Sequence, residues 1–234
     1  MEEERQDPIE TFLSKAEVNE RPLGKFRGRI VLVENDAEIP GALKWLEGEK
    51  ILGFDTETKP AFKKGQKHFP ALLQLAGANA VILLRLNRIG LPGVIKDILS
   101  ADSIIKAGVA PRRDVEELKE LSFFKDLGFV DLAEMAAERG LKNGGLRALA
   151  ANLLGFRVSK GSQTSNWESR SLKEAQLRYA ATDAWVSREL YFALGKLKVV
   201  DEDELPAGGK KAGKRKVERK EKESSEASKA CRGD

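Results

Sequence analysis

Two short runs dominated by apolar residues, 71–76 and 81–84, are separated by only Gly77-Ala78-Asn79-Ala80. Runs of this length around a turn-forming spacer read as neighbouring strands joined by a hairpin-like connection. Strands apolar on both faces need cover on both, so a sheet enclosed by helices is the architecture that satisfies them.

The rest of the chain supplies that cover. Strand signals recur at 29–33, 51–55 and 104–107, and helical spacing of apolar side chains appears at 37–46, 92–99, 111–121, 132–139 and 146–154. Pro92 and Pro111 fall in first turns, where a missing N–H does no harm, and Gly155 closes the helix before it. A longer helix is expected from Ser171 to about Lys196, with Ser171-Leu172-Lys173-Glu174 as its capping box. The expected fold is α/β, a mixed sheet with helices around it. Residues 1–28 read as an N-terminal arm with a short helix near 8–17, residues 29–198 as the domain, and 199–234 as a basic, disordered tail.

Net charge is +4, but residues 206–234 carry ten Lys or Arg against five Asp or Glu, leaving −1 on residues 1–205. The folded part is near neutral, so phosphates would be met by a local patch or by metal rather than by a general field. Cys231 is the single cysteine, so no internal disulfide is possible. An acidic start and the lack of any run of membrane-spanning length predict a soluble, cytoplasmic protein without membrane association. In a nucleated cell, the basic run at 210–216 could serve as an import signal. No feature points to a protein partner.

Chemistry concentrates in three stretches. Phe54-Asp55-Thr56-Glu57-Thr58 ends a predicted strand, where two carboxylates two residues apart share a face and can share a hard cation. Gly108-Val109-Ala110-Pro111-Arg112-Arg113-Asp114 puts a carboxylate in the first turn of a helix, where the helix dipole alone also accounts for it. Tyr179-Ala180-Ala181-Thr182-Asp183 sets a phenol and a carboxylate one turn apart on a helix whose alanines suggest packing on the sheet. Asp183 among such neighbours needs a partner or a cation.

Taken with residues 71–75, Lys106-Ala107-Gly108-Val109 and Ser165-Asn166-Trp167, these stretches resemble the DEDD superfamily of 3′ to 5′ exonucleases. The similarity is to the tyrosine-bearing branch that includes ribonuclease D and the Werner-syndrome exonuclease domain, and it spans residues 30–194. The resemblance implies a ribonuclease-H-like fold, a mixed sheet of about five strands flanked by helices. It also implies that Asp55, Glu57, Asp114 and Asp183 bind two divalent cations, Mg²⁺ or Mn²⁺, and that Tyr179 positions the attacking water. His68 matches none of these positions.

Two cations about 4 Å apart would stabilise both the attacking and the leaving oxygen of a phosphodiester. One would be held by Asp55, Glu57 and Asp183, the other by Asp55 and, through water, Asp114. The substrate would be nucleic acid with a free 3′ end, shortened by one nucleoside 5′-monophosphate at a time. DNA is the first expectation, and RNA, in the manner of ribonuclease D, the alternative. Thr56, Arg112, Lys160, Trp167 and Arg170 are candidate nucleic-acid contacts, with Trp167 equally readable as a core aromatic. A catalytically silent nucleic-acid-binding module is the contrasting class.

Overall fold

The computed structural model describes residues 9–63 and 65–199; from residue 200 on, the expected basic tail lies outside them. One six-stranded sheet organises the domain: β1 (Arg29–Val33), β2 (Ile51–Thr58), β3 (Pro70–Ala76), β4 (Ala80–Leu84), β5 (Ile105–Gly108) and β6 (Phe129–Asp131), in the order β1-β4-β3-β2-β5-β6. Strand β3 runs antiparallel to β2 and β4, while the β1–β4, β2–β5 and β5–β6 pairs are parallel. The sheet is therefore mixed, with one strand more than the five expected. The missed strand, β6, has three half-buried residues and is too short to display a period.

The helices are α1 (Lys15–Glu20), α2 (Ile39–Leu43), α3 (Leu86–Ile89), α4 (Gly93–Ser100), α5 (Arg112–Leu121), α6 (Leu132–Ala137), α7 (Leu146–Leu153) and α8 (Glu174–Gly195). Three boundaries depart from the sequence reading for local reasons. The helix expected at 37–46 is broken into α2 flanked by 3-10 turns, with Pro40 and Gly41 inside it. The first helix starts at a Ser14–Glu17 capping box rather than near Pro8. Helix α8 begins at Glu174, where the Gln176 side chain reaches back to accept from the Lys173 N–H at 3.0 Å, so Ser171 is not its cap.

The sheet divides two apolar layers. On one side Leu52, Phe54, Leu73, Leu75, Ile82 and Leu84 pack with Ile95 and Leu99 of α4 and Val115 and Leu118 of α5. On the other, Leu72, Ala76, Val81 and Leu83 pack with Ala180, Ala181 and Ala184 of α8 and with Trp167. Alternation along β2 then places Gly53, Asp55 and Glu57 on the α8 side. Residues 9–28 pack on the same body: Leu13 and Val18 cluster with Ala151 of α7, and the Phe26 N–H donates to Thr182 Oγ1 of α8 at 3.1 Å. Among the described residues, no helix is long and apolar enough to cross a membrane.

Gly53 sets how closely α8 approaches the sheet. A Cβ on this residue would lie 1.8 Å from the Ala184 carbonyl oxygen, a backbone atom that cannot swing aside. Gly53→Ala must therefore push α8 off the sheet, with an expected loss of about 3 kcal/mol. Denaturant unfolding checks this; an unchanged midpoint would show that the helix accommodates the methyl group.

Candidate active site

Alternation on β2 and the close seat of α8 bring together carboxylates that are far apart in sequence. One oxygen each from Asp55, Glu57 and Asp183 lies within 4.8 Å of the others. Glu57 and Asp183 are buried and Asp55 is half-buried. Asp183 Oδ1 is buried with no hydrogen-bond partner among the described residues. An all-oxygen donor set this close, with an orphaned buried oxygen in it, fits a hard divalent cation.

The electrostatics agree with that fit. Burial, followed by the charges of Asp183 and Asp114, holds the Asp55 carboxyl well above the usual carboxylate range. Burial and the neighbouring Asp55, Asp183 and Asp114 push Glu57 up to about 10. Burial pushes Asp183 up to about 7 against the opposing pull of the Tyr179 phenol. Like charges in a poorly solvated site cannot all ionise together unless a cation or protons offset them.

Asp114, the third residue of α5, stands outside this trio but raises the carboxyls of Asp55 and Glu57 through its charge. Its own carboxyl is raised by burial and lowered in turn by the Thr56 hydroxyl, which donates to it. Thr56 is therefore buried, with its hydroxyl engaged by Asp114 inside the protein. The turn into α5 is also held. Ala110 has φ 50, a left-handed conformation that is strained for a residue with a Cβ. Its N–H donates to Asp131 Oδ1 at 2.9 Å, and the same oxygen accepts from Ala133 N at 2.8 Å as the cap of α6. The roles of Gly53, Thr56 and Asp131 escaped the sequence reading, and only the glycine two residues before Asp55 offered a signal.

Tyr179 stands one turn before Asp183 on α8. Burial and the surrounding carboxylates, Asp183 foremost, push its phenol far up, so it stays a hydrogen-bond donor at neutral pH. Trp167 is fully buried with its ring 6.1 Å from that of Tyr179, so it presents no face for a base to stack on and is a core aromatic. Arg112, Lys160 and Arg170 are exposed, Arg112 in an ion pair with Glu116 at 3.2 Å. His68 Nδ1 pairs with Glu168 Oε1 at 3.1 Å, and the other Glu168 oxygen takes Lys59 at 3.0 Å.

A pH dependence with an unusual sign follows. In metal-free protein the folded carboxyls, Asp183 at about 7 and Glu57 at about 10, hold protons that the unfolded chain releases near 3.8 and 4.5. Their contribution to stability is complete below the unfolded values and is lost as pH rises through the folded ones. Calorimetry in EDTA is expected to give a higher melting temperature near pH 5 than near pH 8, and millimolar Mn²⁺ to remove most of that difference. Equal melting temperatures at both pH values in EDTA would show that the carboxyls titrate normally.

Comparison with known proteins places this geometry in a family. Residues 30–197 match the sequence profile of the 3′-5′ exonuclease family. Mouse "Exonuclease 3'-5' domain-containing protein 2" is 32% identical over 184 residues, covering 72% of this chain and 28% of that protein. The mouse "Bifunctional 3'-5' exonuclease/ATP-dependent helicase WRN" is 32% identical over 153 residues, 63% of this chain and 11% of the relative. The chain thus spans well under a third of the length of these relatives. The fold is shared with the Aedes aegypti Nibbler EXO domain, at a TM-score of 0.67 and 24% identity, over 74% of this chain and 91% of that one. The chain belongs to the 3′-5′ exonuclease family.

Proposed function

We propose that the protein hydrolyses the terminal phosphodiester of a nucleic-acid strand from its free 3′ end, using two divalent cations, Mg²⁺ or Mn²⁺. The observation that carries this is the cluster of Asp55, Glu57 and Asp183, with Asp114 beside it and Tyr179 one turn away. Bound cations would offset charge on the phosphate and ease deprotonation of a water. Asp55, Glu57 and Asp183 would hold one, and Asp55 with Asp114 the other. Separation of Asp114 from the trio by its bond to Thr56 suits contact through water. A phenol held protonated cannot take up the proton of the attacking water, so Tyr179 acts by donating a hydrogen bond that orients it. Exposed Arg112, Lys160 and Arg170 are available to the phosphates upstream.

DNA is the proposed substrate, on the Werner-like spacing of the stretch from Gly108 to Asp114. The test is digestion of 5′-labelled single-stranded DNA, recessed-end DNA and matched RNA with Mg²⁺, Mn²⁺ or EDTA. A ladder shrinking from the 3′ end in metal and absent in EDTA is expected. Asp55→Ala should lower the rate by at least about 10³-fold and Tyr179→Phe by about 10²-fold. Intact strands with retained binding would instead identify a silent nucleic-acid-binding module.

A further inference from the structure

Buried polar groups in this protein generally find partners. Arg85 is fully buried, yet it pairs with Glu34 at 3.1 Å and donates to the Ser169 carbonyl at 2.5 Å. Lys106, equally buried, donates to the carbonyls of Ala101 and Ile104 at 2.7 Å each. Ser187 donates to the Asp183 carbonyl at 3.0 Å. Among the described residues His68 Nε2, Trp167 Nε1 and Asp183 Oδ1 are each buried without a partner, and Gln74 leaves two such atoms: its side chain is fully buried, and neither Nε2 nor Oε1 has a partner.

Its position gives those two orphaned atoms a meaning. Gln74 lies in β3 directly opposite Asp55 of β2, and cross-strand partners point to the same face of a sheet. That face is the α8 side, where the flanking Leu72 and Ala76 are both part of the apolar layer. An amide offers two donor hydrogens and two acceptor lone pairs, and burying them unpaired is worse than burying an apolar side chain of similar size. A Leu or Met would serve packing better at this point, so the amide answers to something other than packing.

We propose that Gln74 is a positioning residue for the cation held at Asp55. Its Nε2 donates to the Asp55 carboxylate once that group is charged and ligating, and its Oε1 accepts from a water that enters with the ion. Fixing a ligating carboxylate from behind in this way sharpens metal affinity without contact between the amide and the ion. The inference rests on the cation site at Asp55, Glu57 and Asp183, but not on cleavage of any substrate.

The test separates the two. Full-length protein stripped of metal is titrated with Mn²⁺ by calorimetry and melted in EDTA, for wild type, Gln74→Leu and the unbranched Gln74→Met. Both variants are expected to weaken Mn²⁺ binding by about tenfold. At least one should melt about 2–4 °C higher in EDTA, because an unpaired buried amide has been removed. A residue kept only for packing cannot give these opposite signs. Mn²⁺ affinity within twofold of wild type in both variants, or a lower melting temperature in both, would overturn the proposal. Wild type that binds no Mn²⁺ would overturn it too, whereas wild type that binds Mn²⁺ but cleaves no strand would sink only the exonuclease activity, and the Mn²⁺ affinities would still decide the role of Gln74.

Discussion

The contact between the α8 backbone and β2 at Gly53 is the constraint on which the site depends. Helix and strand run in opposite senses there: Arg188 Nε donates to the Ile51 carbonyl at 3.2 Å, Ala184 sits over Gly53, and Asp183 meets Asp55 and Glu57 beyond. The seat is reinforced along the helix. Ala180, Ala181 and Ala184 are small enough to let it lie flat, Arg188 also holds Glu49 at 3.2 Å, and Thr182 is tied to Phe26 of the N-terminal segment. A side chain carried on a helix so fixed has little freedom, and the placement of Asp183 is then a property of the packed core rather than of a loop.

That placement works against stability. Three carboxylates in one poorly solvated corner repel one another, and protons can relieve them only by occupying the oxygens a cation needs. The offset must come from the two apolar layers on either side of the sheet, between which every residue of β3 and β4 is buried. Local rules of burial are most heavily broken where β2, β3 and α8 converge, at Asp55, Glu57, Gln74 and Asp183, as expected when a site is kept for chemistry at the expense of the fold.

Much of this was legible in the chain. Strand β1 appears at its true bounds, and β3 to β5 within a residue or so, because their apolar runs are short and sharply flanked. The pairing of Asp55 with Glu57 followed from alternation, and that of Tyr179 with Asp183 from the helical turn. What could not be read depends on contacts between distant elements. Nothing local says that the Thr56 hydroxyl turns to Asp114 across 58 positions, or that Trp167 closes the core beside Tyr179 instead of facing solvent. The starts of α1 and α8 were misplaced because several Ser, Lys and Glu positions offer plausible caps, and packing chooses among them.

Asp114 reaches the site by a different device from the other carboxylates. It stands at the head of a helix, after a turn whose Ala110 occupies a conformation that glycine would adopt without strain. The strain persists because the turn is clamped from outside: Asp131, opposite Gly108 at the end of the β5–β6 pair, accepts the Ala110 N–H while capping α6 with the same oxygen. Thr56 then takes the carboxylate from the β2 side. The fourth acidic group is thus located by two contacts, Asp131 on the turn before it and Thr56 on the carboxylate itself, and it lies outside the shared contact of the trio. A carboxylate so fixed adds its charge to what Asp55 and Glu57 meet without joining the shared contact of Asp55, Glu57 and Asp183, so it deepens from outside the trio the need for an offsetting positive charge there.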